Sequence, residues 1–141
     1  MRKIFISSDH AGFLLKKNVV KFLLKKKFYF TDLGPFSRDS VDYPYYAHKL
    51  AKNVQKNKKF VGILICGSGT GMSIAANKHR NIRAAQCFSV KSTKLSRLHN
   101  DANVITLGSR LISKNNALKY ISIFLNTKFE GGRHLRRVKK I

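Results

Sequence analysis

The chain has 141 residues, 43% of them hydrophobic, with 29 Lys and Arg against 6 Asp and Glu for a formal charge of +23. That length suits one domain, 1–141, with a continuous core, and a split in two would leave pieces that bury too little. No apolar run reaches the roughly 18 residues of a membrane span, and Met1-Arg2-Lys3-Ile4-Phe5-Ile6 turns polar too soon for a signal peptide, so a cytoplasmic protein is expected. Cys66 and Cys87 have no Cys-x-x-Cys spacing and cannot make a disulfide scaffold; reduced thiols follow from that location.

The pattern alternates strand and helix along the chain. Lys3 to Ser8 predicts an apolar strand, and Ala11 to Lys26 a helix burying Phe13, Leu14, Val20, Phe22, Leu23 and Leu24. Phe28 to Asp32 reads as a second strand, followed by a loop broken by Gly34-Pro35. Tyr43 to Lys56 returns to helical spacing, with Tyr46, Leu50, Ala51 and Val54 on one side. Phe60 to Cys66 is a continuous apolar run of the kind buried on both faces of a parallel sheet. A glycine loop, Gly67-Ser68-Gly69-Thr70-Gly71, leads into a helix expected from about Met72 to Lys78. Strand four is expected over Ile82 to Cys87, a helix over Val90 to His99, strand five over Val104 to Gly108 and a last long helix over Asn115 to Leu125. Gly131-Gly132 then opens a basic segment, 131–141, of helical spacing. Such alternation predicts one parallel sheet covered on both faces.

A charge of +23 invites a polyanion partner. Compositional drift is the bland alternative, since Lys, Asn, Ile and Phe are all frequent. The distribution favours drift: between Asp42 and Asp101 there is no acid at all, the lysines scatter over helix surfaces, and no basic stripe alternates with aromatics. No specific nucleic-acid partner is expected.

Ligands of open parallel sheets bind at the carboxyl ends of the strands. Four polar groups are expected on that edge: Ser7-Ser8-Asp9-His10-Ala11-Gly12, Cys66 with its loop, His99-Asn100-Asp101, and Gly108-Ser109-Arg110. The glycines let the loop turn tightly and aim N–H groups inward, which suits an anion or a developing negative charge. It is no Walker loop, lacking Gly-Lys-Ser/Thr, and no dinucleotide fingerprint, because Met72 stands where the third glycine belongs. Cys66 at its mouth is either a base or a small buried residue beside a structural turn. His99 is either an acid–base group or the cap of a helix, with Asn100 in the left-handed turn. Arg133 and Arg137 share one helical face and suit a phosphate, or are a solvated basic end. Cys87 reads as core, His48 and His79 have no role, and no metal-ligand cluster stands out.

Taken together, Ser8-Asp9-His10-Ala11-Gly12, Asp42-Tyr43-Pro44, Cys66 to Gly71 with Ile74-Ala75-Ala76-Asn77-Lys78, His99 to Val104, and Gly131-Gly132-Arg133-His134 resemble the B-type ribose-5-phosphate isomerase and galactose-6-phosphate isomerase family, in its order and from end to end. The resemblance implies a Rossmann-like three-layer α/β/α sandwich with a five-stranded parallel sheet. It implies a sugar-phosphate substrate, no cofactor and no metal, and a homodimer or dimer of dimers with active sites at the subunit interface. By position it implies that Cys66 moves a proton between C1 and C2, that Gly67, Ser68, Gly69, Thr70 and Gly71 hold the enediolate, and that His99 opens the furanose ring. Asp9, Tyr43 and Asn100 would contact sugar hydroxyls, and His10, Arg110, Arg133 and Arg137 the phosphate. One branch of the family uses a glutamate as base where this chain has Met72, which supports the cysteine. The reaction expected is interconversion of ribose 5-phosphate and ribulose 5-phosphate. A six-carbon substrate such as allose 6-phosphate or galactose 6-phosphate is the alternative, and a polyanion binder that keeps the fold is a third reading.

Overall fold

The run Phe60–Cys66 forms the centre of the molecule because its side chains, six of seven buried, must be covered from both faces. In the computed structural model, which describes residues 2–141, the elements follow in the order β1 (Lys3–Ser8), α1 (Phe13–Lys25), β2 (Phe30–Asp32), α2 (Tyr43–Val54), β3 (Phe60–Cys66), α3 (Thr70–Ala76), β4 (Ala84–Gln86), α4 (Val90–Asn100), β5 (Val104–Gly108), α5 (Lys114–Asn126) and α6 (Arg133–Val138). The five strands make one sheet in the order β2-β1-β3-β5-β4, parallel throughout. This is the α/β sandwich expected.

Two cores lie on the two faces. Leu15, Val19 and Leu23 of α1 pack with Ala117, Ile121 and Phe124 of α5 on one. Ala47, Leu50, Ala51 and Val54 of α2 pack with Met72, Ala75 and Ala76 of α3 on the other. On the first face α4 lies beside α5, with the Arg97 guanidinium 5.5 Å above the Phe124 ring. Among the described residues no helix is long and apolar enough to cross a membrane.

Two local expectations change. The buried stripe of α1 is Leu15, Lys16, Val19 and Leu23, while Leu14 and Leu24 are 51% and 61% exposed. The six apolar residues named from sequence spread too far around a 3.6-residue helix for one face to hold them all. Lys16 takes a core position because its ammonium meets Asp32 at 2.6 Å and the Pro35 carbonyl at 2.8 Å; a buried charge is tolerated only when paired in this way. Finally, β2 and β4 are three residues each, shorter than expected, as suits edge strands with one neighbour.

Each crossover helix runs back against the strands, so helix starts lie at the carboxyl edge of the sheet and helix ends at the amino edge. The loops after β1, β3, β4 and β5 share the carboxyl edge. The end of α4, with His99 and Asn100, lies at the amino edge, contrary to the placement expected from sequence.

Candidate active site

At the carboxyl edge, three loops are knitted by backbone bonds. The Asp9 N–H donates to the Ile65 carbonyl at 3.1 Å, Ser109 N–H to Cys66 at 2.8 Å and Arg110 N–H to Gly67 at 3.0 Å. The Ser109 hydroxyl closes the ring of contacts by donating to the Ala11 carbonyl at 2.8 Å. Cys66 ends β3 almost fully buried, and its sulfur accepts the Gly69 N–H at 3.1 Å. That bond needs the loop to double back, which Gly69 permits with φ +80°; an added Cβ there would also stand 3.0 Å from the Leu107 backbone. Asp9 is buried and accepts the Gly12 N–H at 3.0 Å. His10 is exposed and accepts the Val41 N–H on Nδ1 at 3.2 Å, which leaves the proton of its neutral ring on Nε2. Tyr43, the first residue of α2, lays its ring against Gly71, where a Cβ would come within 2.6 Å of it. The Arg110 side chain folds over Gly67. Asp9, His10, Tyr43, Cys66, the loop to Gly71 and Arg110 therefore form one group.

A neighbour of this group has no signal beyond its place at a strand end. Gln86 closes β4; its amide donates to the Ser68 carbonyl at 2.7 Å and its Oε1 accepts the Thr70 hydroxyl at 3.2 Å. It clamps the glycine loop from the side opposite Cys66. Cys87 beside it is buried, and burial pushes its thiol above the usual range, so it is core as expected.

At the amino edge stands a second group. His99 and Asn100 end α4, and Arg133 and Arg137 lie exposed on α6, with no side-chain hydrogen bond to either guanidinium among the described residues. Asp101, not Asn100, takes the left-handed cap, with φ 46°, and is held by Arg83 at 3.2 Å and Arg97 at 2.8 Å. The fold also gathers His99, Glu130 and His134, whose possible ligand atoms lie within 4.8 Å of one another; His99 ends α4 while the other two lie in and just before α6, so spacing in the sequence conceals the cluster.

The two groups are far apart within the chain. Cys66 is in register with Gly108 and Gly62 with Val104, so the chain leaving α4 enters β5 at the end away from Cys66. The four steps of β5 span about 13 Å at strand rise, and the 11 residues of α4 cover about 16 Å at helix rise. Cys66 and His99 of one chain cannot touch the same small sugar.

The Ribose/Galactose Isomerase family model matches residues 4–141. Ribose-5-phosphate isomerase B of Escherichia coli is 43% identical over 141 residues, covering 100% of this chain and 95% of that one. The crystal structure of ribose-5-phosphate isomerase B from Mycoplasma genitalium with bound ribulose-5-phosphate superposes with a TM-score of 0.96 at 46% identity, over 98% of this chain and 92% of that one. A ribose 5-phosphate isomerase structure from Thermotoga maritima gives 0.95 at 48% identity, over 99% and 96%. With the match running through the strands, the glycine loop and the basic terminal helix alike, this chain belongs to the Ribose/Galactose Isomerase family.

Proposed function

We propose that the chain interconverts ribose 5-phosphate and ribulose 5-phosphate, each active site being built from the carboxyl edge of one copy and the amino edge of another. The observation that carries the chemistry is the Cys66 sulfur under the Gly69 N–H, at the mouth of a loop clamped from outside by Gln86. The observation that carries the assembly is the separation of Cys66 from His99. Exposed apolar side chains accompany both groups, Phe88 at 63% and Leu111 at 64% after β4 and β5, and Leu135 at 43% between the two arginines of α6. A second copy would cover them.

The reaction divides between the groups. His99 of a second copy exchanges the proton needed to break the C1–O4 bond of the furanose. On the open aldose, the Cys66 thiolate takes the C2 proton; the C–H electrons form the C1=C2 bond and O1 becomes an oxyanion. Loop N–H groups and the Ser68 hydroxyl stabilise that enediolate. A proton then passes from O2 to O1, the Cys66 thiol returns its proton to C1, and the carbonyl is left at C2. Arg133 and Arg137 hold the phosphate, a remote handle whose binding orients the reacting carbons. His10 and Arg110 approach it from the carboxyl edge.

A coupled assay of the purified protein on ribose, allose and galactose phosphates tests the reading. Preference for ribose 5-phosphate is expected. Preference for a six-carbon substrate would keep the mechanism and change the sugar, and inactivity on all three would remove the isomerase assignment.

A further inference from the structure

Glu130 and His134 have no part in the chemistry above, yet they surround the group that opens the ring. His134 is 5% exposed, its Nε2 has no hydrogen-bond partner among the described residues, and its ring lies flat against His99, centroids 4.2 Å apart and planes 12° apart. The Glu130 N–H donates to the Leu98 carbonyl at 3.1 Å, fastening its loop to the end of α4. That bond brings Glu130 Oε2 to 3.8 Å from His99 Nε2.

Two histidines and a carboxylate suggest a transition metal, but the ring geometry argues against one. A ligated ion lies in the plane of each imidazole, at about 2.0–2.1 Å from nitrogen. Two planes 12° apart and stacked face to face share no such point. Offset stacking is instead a favourable packing of flat rings. His99 itself is half exposed on the last turn of a helix.

We propose that His134 is a positioning residue for His99: its buried ring is the flat support that fixes the plane of the His99 imidazole, while the Glu130 carboxylate orients its Nε2 edge. The proposal rests on the ring-opening role given to His99. Burial first, then the charge of His99, and Arg133 and Arg137 on its own helix, push the His134 imidazole below the usual histidine range, with Glu130 opposing them. A neutral support matters because two imidazoliums face to face would repel. His134 thus leaves His99 free to take up and return a proton.

The test compares replacements at 134 that fill space with and without a flat face. Without assisted ring opening the enzyme consumes only open-chain aldose, so spontaneous opening in solution caps the rate. The initial rate from ribose 5-phosphate then levels off as enzyme is added, where a competent enzyme stays proportional. The rate from ribulose 5-phosphate, which cannot close a furanose ring, stays proportional in either case. His99→Asn and His134→Leu are expected to level off with ribose 5-phosphate only, and His134→Phe to restore proportionality. The loss at a fixed enzyme concentration should be about tenfold for His134→Leu, part of the ~10²–10⁴-fold that acid–base help supplies. If circular dichroism shows His134→Leu unfolded, His134→Met provides the non-planar replacement. Proportional rates for the non-planar variant, or equal behaviour of it and His134→Phe, would overturn the proposal while leaving His99 its role. A His99→Asn variant that never levels off would withdraw the ring-opening role and this proposal together.

Discussion

The carboxyl edge and the amino edge of the sheet carry the two halves of the proposed site in different ways. Around Cys66 the functional atoms are largely backbone: the Gly69 N–H on the sulfur, and the bonds of Asp9, Ser109 and Arg110 that tie three strand ends together. Around His99 they are side chains on the outside of two helix segments, half or fully exposed, with arginines free of partners among the described residues. Enediolate stabilisation needs donors already in place when charge develops, and rigid strand ends provide them. Phosphate capture and ring opening need groups that can approach a substrate from its other side. In the proposed assembly an exposed helix would serve that purpose, a second copy bringing it across the glycine loop.

Removing the sulfur tests the carboxyl edge most severely. Cys66→Ala should lower isomerisation in both directions by at least about 10²-fold, with substrate binding nearly intact by calorimetry. Rates near those of the unaltered protein would make Cys66 a packed thiol only.

Mixing variants tests whether the edges belong to different copies. Cys66→Ala and Arg137→Ala chains, each nearly inactive at low substrate, are unfolded together and refolded as a mixture. Half of random pairs would carry one variant of each kind, and in a two-fold assembly one of their two sites would be intact, giving roughly a quarter of full activity. A mixture no more active than its parents would place the whole site within single chains, against the separation of Cys66 and His99.

Arg137→Ala alone sharpens the comparison from the amino side. In the proposed site the phosphate is held in ground and transition states alike, so KM should rise by about 10–100-fold, as for a lost charged hydrogen bond, with kcat little changed. Unchanged KM for the phosphorylated sugar would take Arg137 out of the site.

The smallest effect concerns the basic surface outside both groups, in a chain whose formal charge is +23. A DNA fragment should bind weakly at low salt and be released by about 0.15 M salt, as diffuse phosphate contacts are. Sequence-selective retention at that salt in a gel-shift assay would give the basic surface a function of its own.

Periodicity and composition determine much of this molecule without coordinates. The apolar runs Lys3–Ser8 and Phe60–Cys66 and the helical spacings between strands specify a covered parallel sheet, because burial on both faces leaves a continuous apolar segment. Local chemistry is legible too: glycines at 67, 69 and 71 announce a tight loop, and Cys66 stands at its mouth. Tertiary structure decided where those groups meet. His99 follows a helix rather than a strand, and a crossover helix returns the chain to the amino edge, so motifs that look adjacent along the sequence face opposite ways. The Gln86 clamp, the Lys16–Asp32 pair and the stacked rings of His99 and His134 join elements remote in sequence. Each depends on packing distances that residue order does not contain, since periodicity reports which face of an element is buried and not what lies against it.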